Sequence, residues 1–294
     1  MLSIRNLSKT YANGIQALRD ISLNVECGLF GLLGPNGAGK SSLMRTLATL
    51  QGPDGGSIAL DGQDIFRNPQ ETRRHLGYLP QDFGVYPQIT AQEMLEQLAV
   101  FKGFTERRSR QALVQEQLRL VNLYDKRHQK LGTFSGGMRQ RFGIAQALLG
   151  APKLVIVDEP TAGLDPAERI RFHNLLAEMG RDRVLILSTH IVEDVIDLCP
   201  RIAILNQGQI VAQGCPQDLI GALRDRVWVK PLDDKEIVDS AANQAQWQAQ
   251  WNVITLRMIQ GQRFVRVLSD EQPGAGFEIT EPDLNDVYFT TLAA

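Results

Sequence analysis

Short apolar runs alternate along the chain with segments whose apolar residues recur at helical spacing. This alternation is typical of an α/β domain with a mainly parallel sheet. The three clearest strand candidates are GLFGLL (28–33), KLVIVDEP (153–160) and RVLILSTH (183–190). Because ligands bind at the carboxyl ends of the strands in open α/β sheets, the polar residues that end these runs are candidates for chemistry.

Two helices are predicted close to these strand ends. The first begins after Lys40, and one of its faces consists of Leu43, Met44, Leu47 and Leu50. The second covers about residues 166–179, where Asp165 can cap its start, a proline suits its first position and Gly180 suits its end. A glycine-rich loop therefore joins a strand to a helix N-terminus just before Lys40.

A change of composition near residue 222 predicts a second domain. The stretch RIAILNQGQIVAQG (201–214) is typical of a hairpin that turns at Gln207 and Gly208, and a short helix is expected at about 216–222. The tail elements are VWVKPL (227–232), a helix at about 234–247, a strand, a turn at Gln260 and Gly261, RFVRVL (263–268), and a last helix whose start Thr280 and Asp283 mark. We predict one domain over residues 1–222 and a small α+β module over residues 223–294.

The stretch GLLGPNGAGKSS (31–42) fits the G-x-x-x-x-G-K-[ST] pattern in full. Its glycines let backbone N–H groups point into one concavity, Lys40 can reach the β- and γ-phosphates, and Ser41 can offer its hydroxyl to Mg²⁺. A glycine-rich turn with a solvated lysine is the alternative, but the flanking strand and helix favour a phosphate loop. Its candidate residues are Gly34, Pro35, Asn36, Gly37, Ala38, Gly39, Lys40, Ser41 and Ser42.

Two other stretches carry candidate chemistry. Asp158 and Glu159 end an apolar strand, where Asp158 would hold Mg²⁺ and Glu159 would polarise the attacking water as general base. An acidic pair at a strand end is often only a helix cap or a solvated turn, and the phosphate loop favours the catalytic interpretation. Ser135 in FSGGMRQR (134–141) can cap a helix whose first N–H groups attract an anion, with a plain helix cap as the alternative.

The charge and composition of the chain argue against a nucleic-acid-binding, membrane-spanning or secreted protein. The chain has 294 residues, with 31 Lys and Arg against 33 Asp and Glu, and its net charge of -2 supplies no overall field for holding a polyanion. We therefore expect no nucleic-acid partner. Neither a signal peptide nor an apolar run of membrane-spanning length is apparent, so we expect a soluble protein. Three dispersed cysteines fit a reduced, cytosolic compartment.

Six motifs occur in a fixed order along the chain. They are GPNGAGKSS, YLPQD, FSGGMRQR, LVIVDEP, AGLDP and STH. In this order they closely resemble the ATP-binding subunits of ABC transporters, over about residues 1–220. The resemblance implies an α/β fold of the P-loop NTPase type: an ABC-type ATPase domain with a mainly parallel core sheet, an antiparallel β subdomain and a helical subdomain, followed by the small C-terminal module.

The resemblance also implies roles for single residues. Tyr11 would stack on the adenine of ATP, although an ordinary half-buried tyrosine is the alternative. Gln81 would approach Mg²⁺ and the attacking water, and His190 would contact the γ-phosphate, where a structural histidine is the alternative. Asp165 would lie at a dimer seam. Three residues would contact the ATP that a second copy holds in a head-to-tail dimer: Ser135, Gly136 and Gly137.

The end of the FSGGMRQR motif points to a subset of the family. Met138 stands where many members carry glutamine, and SGGM followed by RQR looks like the ABC-2 type subset that serves polytopic exporters. The tail resembles the end of many such ATPases. This subset implies that ATP hydrolysis drives export through a separate membrane permease, with the protein at the cytoplasmic face of the membrane. The permease would dock near Gln81 and residues 89–129.

ABC-type ATPases that move no solute are the alternative class. A chromosome-maintenance or repair ATPase would need a long heptad insertion between the phosphate loop and Ser135, and only a short helical segment lies there. A ribosome-binding factor usually carries two cassettes in one chain. A nucleotide-dependent scaffold with little hydrolysis is disfavoured by the presence of Glu159 and His190.

Overall fold

The chain forms two compact units, Met1–Ile210 and Val211–Ala294. The computed structural model describes residues 1–161, 164–232 and 251–293. The predicted boundary at residue 222 marks a change of composition. The division between the units lies upstream of it, between Ile210 and Val211. The contacts instead divide the chain inside the predicted hairpin.

The strands among the described residues alternate with helices through most of the first unit. In chain order they are β1 (Leu2–Thr10), β2 (Gln16–Val25), β3 (Gly28–Leu33), β4 (Gly55–Leu60), β5 (Gln63–Asp64), β6 (Leu76–Leu79), β7 (Leu154–Asp158), β8 (Val184–Thr189), β9 (Arg201–Asn206), β10 (Gln209–Gly214), β11 (Val227–Pro231), β12 (Val253–Ile259), β13 (Gln262–Leu268) and β14 (Glu278–Ile279). The α-helices are α1 (Lys40–Leu47), α2 (Pro69–Arg74), α3 (Ala91–Phe101), α4 (Arg107–Leu120), α5 (Gly136–Leu148), α6 (Pro166–Met179), α7 (Val192–Leu198), α8 (Pro216–Gly221) and α9 (Leu284–Ala293).

The core sheet of the first unit has the strand order β9-β3-β8-β7-β6. β3 pairs in parallel with β8 and β9, and β7 pairs in parallel with β6 and β8. Every residue of β7 and β8 is buried, which explains why these strands are continuous apolar runs in the sequence. The carboxyl ends of β3, β6, β7 and β8 therefore lie along one edge of the sheet.

The first unit also contains an antiparallel sheet and a group of helices. The sheet has the order β2-β1-β4-β5, and its pairings are antiparallel. Helices α3, α4 and α5 pack against one another. The predicted parallel core, antiparallel β region and helical region are thus confirmed.

Two of the predicted helices can be compared in detail. α6 has the predicted bounds, and the N–H of Glu168 donates to Asp165 Oδ1 at 2.8 Å, as expected for a capped start. α1 is shorter than its apolar pattern suggests. Thr49 has a left-handed φ of 56°, which breaks the helical path, and Leu50 beyond it is 56% exposed. Leu50 therefore lies beyond the helix and not on the helical face predicted for it.

The C-terminal unit is built on an antiparallel sheet in the order β12-β13-β11-β14. Its small core consists of Leu232, Val253, Val265, Val267 and Phe277. The helix predicted at about 234–247 lies outside the described residues. The last helix starts at Leu284 rather than near Thr280, because Asp283 and Asp286 cap each other: the N–H of Asp286 donates to Asp283 Oδ1 at 3.0 Å, and the N–H of Asp283 donates to Asp286 Oδ2 at 2.8 Å.

A buried ion pair ties this last helix to β13. Asp286 is fully buried, and Arg266 donates to both of its carboxylate oxygens, through Nε at 2.8 Å and through a terminal nitrogen at 2.6 Å. Arg257 on β12 also forms a bidentate pair, in which its two terminal nitrogens donate to the two carboxylate oxygens of Asp283. Such pairs are costly to break, because the remaining charge stays buried without its partner.

The Asp286→Asn variant is expected to lose roughly 3 kcal/mol of the free energy of unfolding of the C-terminal unit, because Arg266 keeps its charge in a buried position. Hydrogen exchange of the α9 and β13 amides against denaturant measures this loss. Asp270→Asn is the matched control, since Asp270 is 79% exposed in its pair with Arg226. The control should cost less than about 1 kcal/mol, and equal losses in the two variants would contradict the prediction.

Candidate functional site

The phosphate loop, residues 34–42, connects the end of β3 to the start of α1. Gly37 and Gly39 have positive φ values of 81° and 107°, a conformation that residues with a Cβ rarely adopt. A Cβ on Gly34 would lie 2.4 Å from the carbonyl oxygen of Leu205, so the loop passes too close to β9 for a side chain. Because the first N–H groups of a helix have no partner within the helix, the start of α1 offers donors to an anion.

Lys40 is held inside this loop. Its Nζ donates to the carbonyl oxygens of Gly34 at 2.6 Å and Pro35 at 3.1 Å, and it lies 3.7 Å from Oε1 of Glu159. Its side chain is only 5% exposed. Burial lowers the pKa of Lys40 below its ordinary value, while the carboxylates of Glu159 and Asp158 oppose that effect. A charged amine is therefore positioned where phosphate oxygens can replace its carbonyl partners.

Asp158 ends β7 and is almost fully buried, at 4% exposure. Among the described residues no hydrogen bond reaches its Oδ1. Burial and the neighbouring Glu159 carboxylate raise the pKa of the Asp158 carboxyl, while the hydroxyls of Ser188 and Ser41 and the charge of Lys40 oppose that rise. A buried acceptor without a partner is costly unless something binds it. A carboxylate oxygen near a hydroxyl is a donor set that suits Mg²⁺, which typically takes one or two carboxylates plus phosphate oxygens. The described residues contain no cluster of three or more His, Cys, Asp or Glu that would form an all-protein metal site.

Three predicted catalytic residues meet at the carboxylate of Glu159. Gln81 Nε2 lies 3.4 Å from Glu159 Oε2, and His190 Nδ1 lies 3.1 Å from the same oxygen. The residues follow β6, β7 and β8, which are neighbours in the parallel sheet. Glu159 itself has a left-handed φ of 47°, and its N–H donates to the carbonyl oxygen of Ser188 at 2.8 Å. The sheet order thus brings together side chains that are distant in the sequence.

A cavity of about 520 Å³ opens in front of the phosphate loop. Its lining includes the loop itself, Tyr11, Gln81, Glu159, residues from β2 and the turn between β9 and β10. The hydroxyl of Tyr11 is within 3.0 Å of Ser42 Oγ and donates to Gln51 Oε1 at 3.2 Å. The half-buried Tyr11 therefore contacts the loop, as a residue at the edge of a nucleotide site would.

The residues predicted to act on a second copy lie elsewhere. Ser135 caps α5, and its Oγ accepts from the N–H of Met138 at 3.2 Å. Ser135 and Gly136 are exposed. Gly137 is buried against Glu168, where a Cβ would lie 2.7 Å from the carboxylate. None of Ser135, Gly136 and Gly137 is among the described residues that line the cavity.

Comparison with known proteins decides the family. The sequence pattern of the family described as ABC transporter matches residues 18–162. A Bacillus subtilis (strain 168) protein named as an uncharacterized ABC transporter ATP-binding protein, YxlF, is 36% identical over 238 residues, which is 80% of this chain and 78% of that protein. The chain belongs to the ABC transporter ATP-binding proteins.

Other relatives of this ABC ATPase have names that state a function. The daunorubicin/doxorubicin resistance ATP-binding protein DrrA of Streptomyces peucetius is 36% identical over 232 residues, covering 78% of this chain and 70% of that protein. The Nod factor export ATP-binding protein I of Burkholderia pseudomallei (strain K96243) is 37% identical over 204 residues, covering 69% of this chain and 67% of that protein.

Solved structures agree with this assignment. A dimeric ATP-binding cassette in a post-hydrolysis state, bound to ADP and Pi, has a TM-score of 0.66 at 27% identity, covering 73% of this chain and 98% of that one. The ATP-binding subunit of an ABC transporter has a TM-score of 0.67 at 29% identity, covering 76% of this chain and 92% of that one. The predicted fold is confirmed, and the protein is an ATP-binding ABC ATPase that hydrolyses ATP.

Sequence reasoning missed part of the cavity of the ABC ATPase. Gln16, Ala17 and Arg19 on or near β2 contribute to its lining, together with the β9–β10 turn. The N–H of Gly208 donates to the carbonyl oxygen of Ala38 at 2.9 Å, and so links this turn to the phosphate loop. These residues form no motif, because their role depends on contacts between segments that are distant along the chain.

Among the parts of the ABC ATPase that the structure describes, no helix has the length and apolar character needed to cross a bilayer.

Proposed function

We propose that the ABC ATPase is the energy-supplying subunit of an exporter. Two copies close head to tail over two ATP molecules at the cytoplasmic face of a membrane, and the closure moves a separate polytopic permease. The main support is the contact of Gln81 and His190 with Glu159, a residue that lines the cavity beside the phosphate loop. Relatives named for drug resistance and Nod factor export support the direction of transport.

Glu159 is the general base of this proposal. Its carboxylate is a proton acceptor for the attacking water, and Gln81 and His190, which both contact its Oε2, orient it. His190 also contacts the γ-phosphate. Lys40 and the loop N–H groups hold the phosphates, which positions the γ-phosphate in line with the water.

Ser41, Asp158 and Gln81 would hold Mg²⁺. The Oδ1 of Asp158 and the hydroxyl of Ser41 would supply the oxygen ligands that such an ion prefers. When bound, the ion neutralises charge on the β- and γ-phosphates. The carboxyl of Asp158 must then be ionised, so binding of the ion opposes the effect of burial on its pKa.

A second copy completes each site. Ser135 and Gly136 are exposed at the start of α5, and the helix dipole and free N–H groups there favour phosphate. Since they do not line the cavity of their own chain, they are available for the ATP held by the partner copy. Asp165 lies at the seam between the copies, and Tyr11 stacks on the adenine.

A second cavity, of about 440 Å³, supplies the docking groove for the permease. Leu98 and Phe101 of α3, Tyr78 of β6 and Arg73 of α2 contribute to its lining. Phe101 is 85% exposed, although it is a large apolar side chain. Tyr78 lies three positions before Gln81, so a helix seated in the groove presses on the strand that leads to the catalytic site. Arg73 and Arg74 both line the groove, and their positive charge favours a permease segment with apolar and acidic side chains.

An affinity pull-down from detergent-solubilised membranes tests the proposed function. The Glu159→Gln variant is trapped with ATP and the proteins that accompany it are identified by mass spectrometry. A polytopic membrane protein is the expected partner, and it then becomes the object of cargo assays. Recovery of soluble partners or nucleic acid alone would overturn the transport function and favour a non-transport ABC-type ATPase.

Phe101→Ala is expected to lower the recovery of the permease about tenfold, because it removes the apolar anchor of the groove. Quantitative mass spectrometry of the same pull-down measures this. Met258→Ala is the control, since Met258 is an apolar residue of similar exposure, 65%, in the C-terminal unit. Thermal unfolding confirms that both variants are folded, and equal recovery with Phe101→Ala and wild type would contradict the assignment of the groove.

A further inference from the structure

One buried carboxylate near the catalytic residues has no part in the proposed reaction. Asp194 on α7 is fully buried, at 0% exposure. It accepts hydrogen bonds from Thr161 Oγ1 at 2.5 Å and from Arg169 at 2.7 and 2.6 Å, and His173 Nε2 lies 2.8 Å from its Oδ1. We call these residues the Asp194 cluster.

The members of the Asp194 cluster come from three segments of the chain. Thr161 follows Glu159 by two positions, Arg169 and His173 lie on α6, and Asp194 follows His190 by four positions. The cluster therefore joins the segment after the proposed general base to the segment after the proposed γ-phosphate contact. Its contact with the Glu159 segment lies C-terminal to Glu159, whereas β7 lies N-terminal to it.

Glu159 needs such support because its backbone is strained. A left-handed φ of 47° costs a residue with a Cβ about 1–2 kcal/mol. Before Glu159, the parallel ladder of β7 and β8 holds the chain, and the N–H of Glu159 bonds to Ser188. After Glu159, Gln140 Nε2 donates to the carbonyl oxygen of Pro160 at 2.6 Å, and Thr161 donates to Asp194. The strained residue is thus held on both sides.

The placement of the charge supports a role beyond packing. Burying a carboxylate costs several kcal/mol unless charged and polar donors compensate, and an apolar residue could fill the same space. Arg169 and His173, which both lie on α6, already supply donors that compensate the charge of Asp194. The short hydrogen bond from Thr161 adds the connection to the catalytic segment, and hydrogen bonds to ionised groups are about twice as strong as neutral ones.

We propose that Asp194 is a positioning residue for ATP hydrolysis, which acts through Thr161 to hold Glu159 in contact with His190. This rests on the proposed roles of Glu159 and His190. Asp194 is fully buried and is not among the described residues that line the cavity beside the phosphate loop. Its effect is on the catalytic step, since Nζ of Lys40 is held mainly by two carbonyl oxygens of the phosphate loop, at 2.6 and 3.1 Å, and lies farther, at 3.7 Å, from Glu159.

Thr161→Val removes the hydroxyl but keeps the side-chain shape, and it leaves Asp194 with Arg169 and His173. We expect kcat to fall about tenfold, the effect of one charge-assisted hydrogen bond, while KM for ATP stays within about twofold of wild type. Thr161→Ser keeps the hydroxyl and should restore kcat. Thr291→Val is the matched control: it removes a threonine hydroxyl that bonds only backbone carbonyls in the C-terminal unit and should leave both constants unchanged.

Steady-state phosphate release by the wild type and the variants, with thermal midpoints measured on the same samples, tests the inference. Wild-type turnover by Thr161→Val, or equal slowing by Thr161→Ser and Thr161→Val, would overturn it. So would a parallel loss of kcat and ATP affinity, which indicates general loosening of the fold. Should Thr161→Val fail to fold, Thr161→Ala tests the same hydroxyl against Thr161→Ser.

Glu159→Gln in the same assay separates this inference from the proposed function. If Glu159→Gln abolishes hydrolysis and Thr161→Val does not slow it, only the role of Asp194 fails. If Glu159→Gln turns over like the wild type, the general-base assignment fails, and with it the basis for assigning a role to Asp194.

Discussion

The Glu159→Gln variant is expected to bind ATP, to hydrolyse it about a thousandfold more slowly than the wild type and to accumulate as a closed dimer. The amide keeps the size of the carboxylate, but it cannot accept a proton from water. Its contacts with Gln81 at 3.4 Å and His190 at 3.1 Å distinguish this carboxylate from one in a solvated turn.

Phosphate release under steady-state conditions measures the hydrolysis rate, and size-exclusion chromatography with ATP measures the dimer. Glu71→Gln is the matched control, because Glu71 is an exposed glutamate that pairs only with its helix neighbours Arg74 and His75. This control should retain wild-type turnover. Turnover of Glu159→Gln within a few-fold of wild type would show that another group activates the water.

Lys40→Ala is expected to weaken ATP binding about a hundredfold, which corresponds to about 2.7 kcal/mol. The variant removes a buried positive charge that lies between two loop carbonyls and Glu159. It also leaves those carbonyl oxygens without the charged donor that they share. The effect is therefore larger than the loss of one neutral hydrogen bond.

Isothermal titration calorimetry with a slowly hydrolysed ATP analogue measures the affinity. Lys153→Ala is the control, because Lys153 is 59% exposed in its pair with Asp61 and should leave the affinity unchanged. Lys40→Arg adds a second test, since a planar guanidinium does not fit between two carbonyls spaced for a compact amine. Wild-type affinity in Lys40→Ala would contradict the phosphate-loop assignment.

The elements with strong local signals were predicted well from the sequence. α6 has its predicted bounds because a cap, a proline and a glycine specify both ends locally. Boundaries that depend on contacts were predicted less well. The apolar spacing predicted that α1 continues to Leu50, but the left-handed backbone of Thr49 prevents this. Thr280 was predicted to mark the start of the last helix, but Asp283 and Asp286 cap that helix instead.

The sequence by itself determined the chemistry that lies in contiguous stretches. The phosphate loop, the acidic pair and the cap at Ser135 are each formed by neighbouring residues, so spacing alone predicts these candidate sites. Only the tertiary structure decided which side chains meet. Gln81, Glu159 and His190 converge because β6, β7 and β8 are adjacent parallel strands, whose carboxyl ends must lie at one edge of the sheet. The Asp194 cluster depends on the packing of α6 and α7, and no local pattern in the sequence specifies which residues that packing brings together.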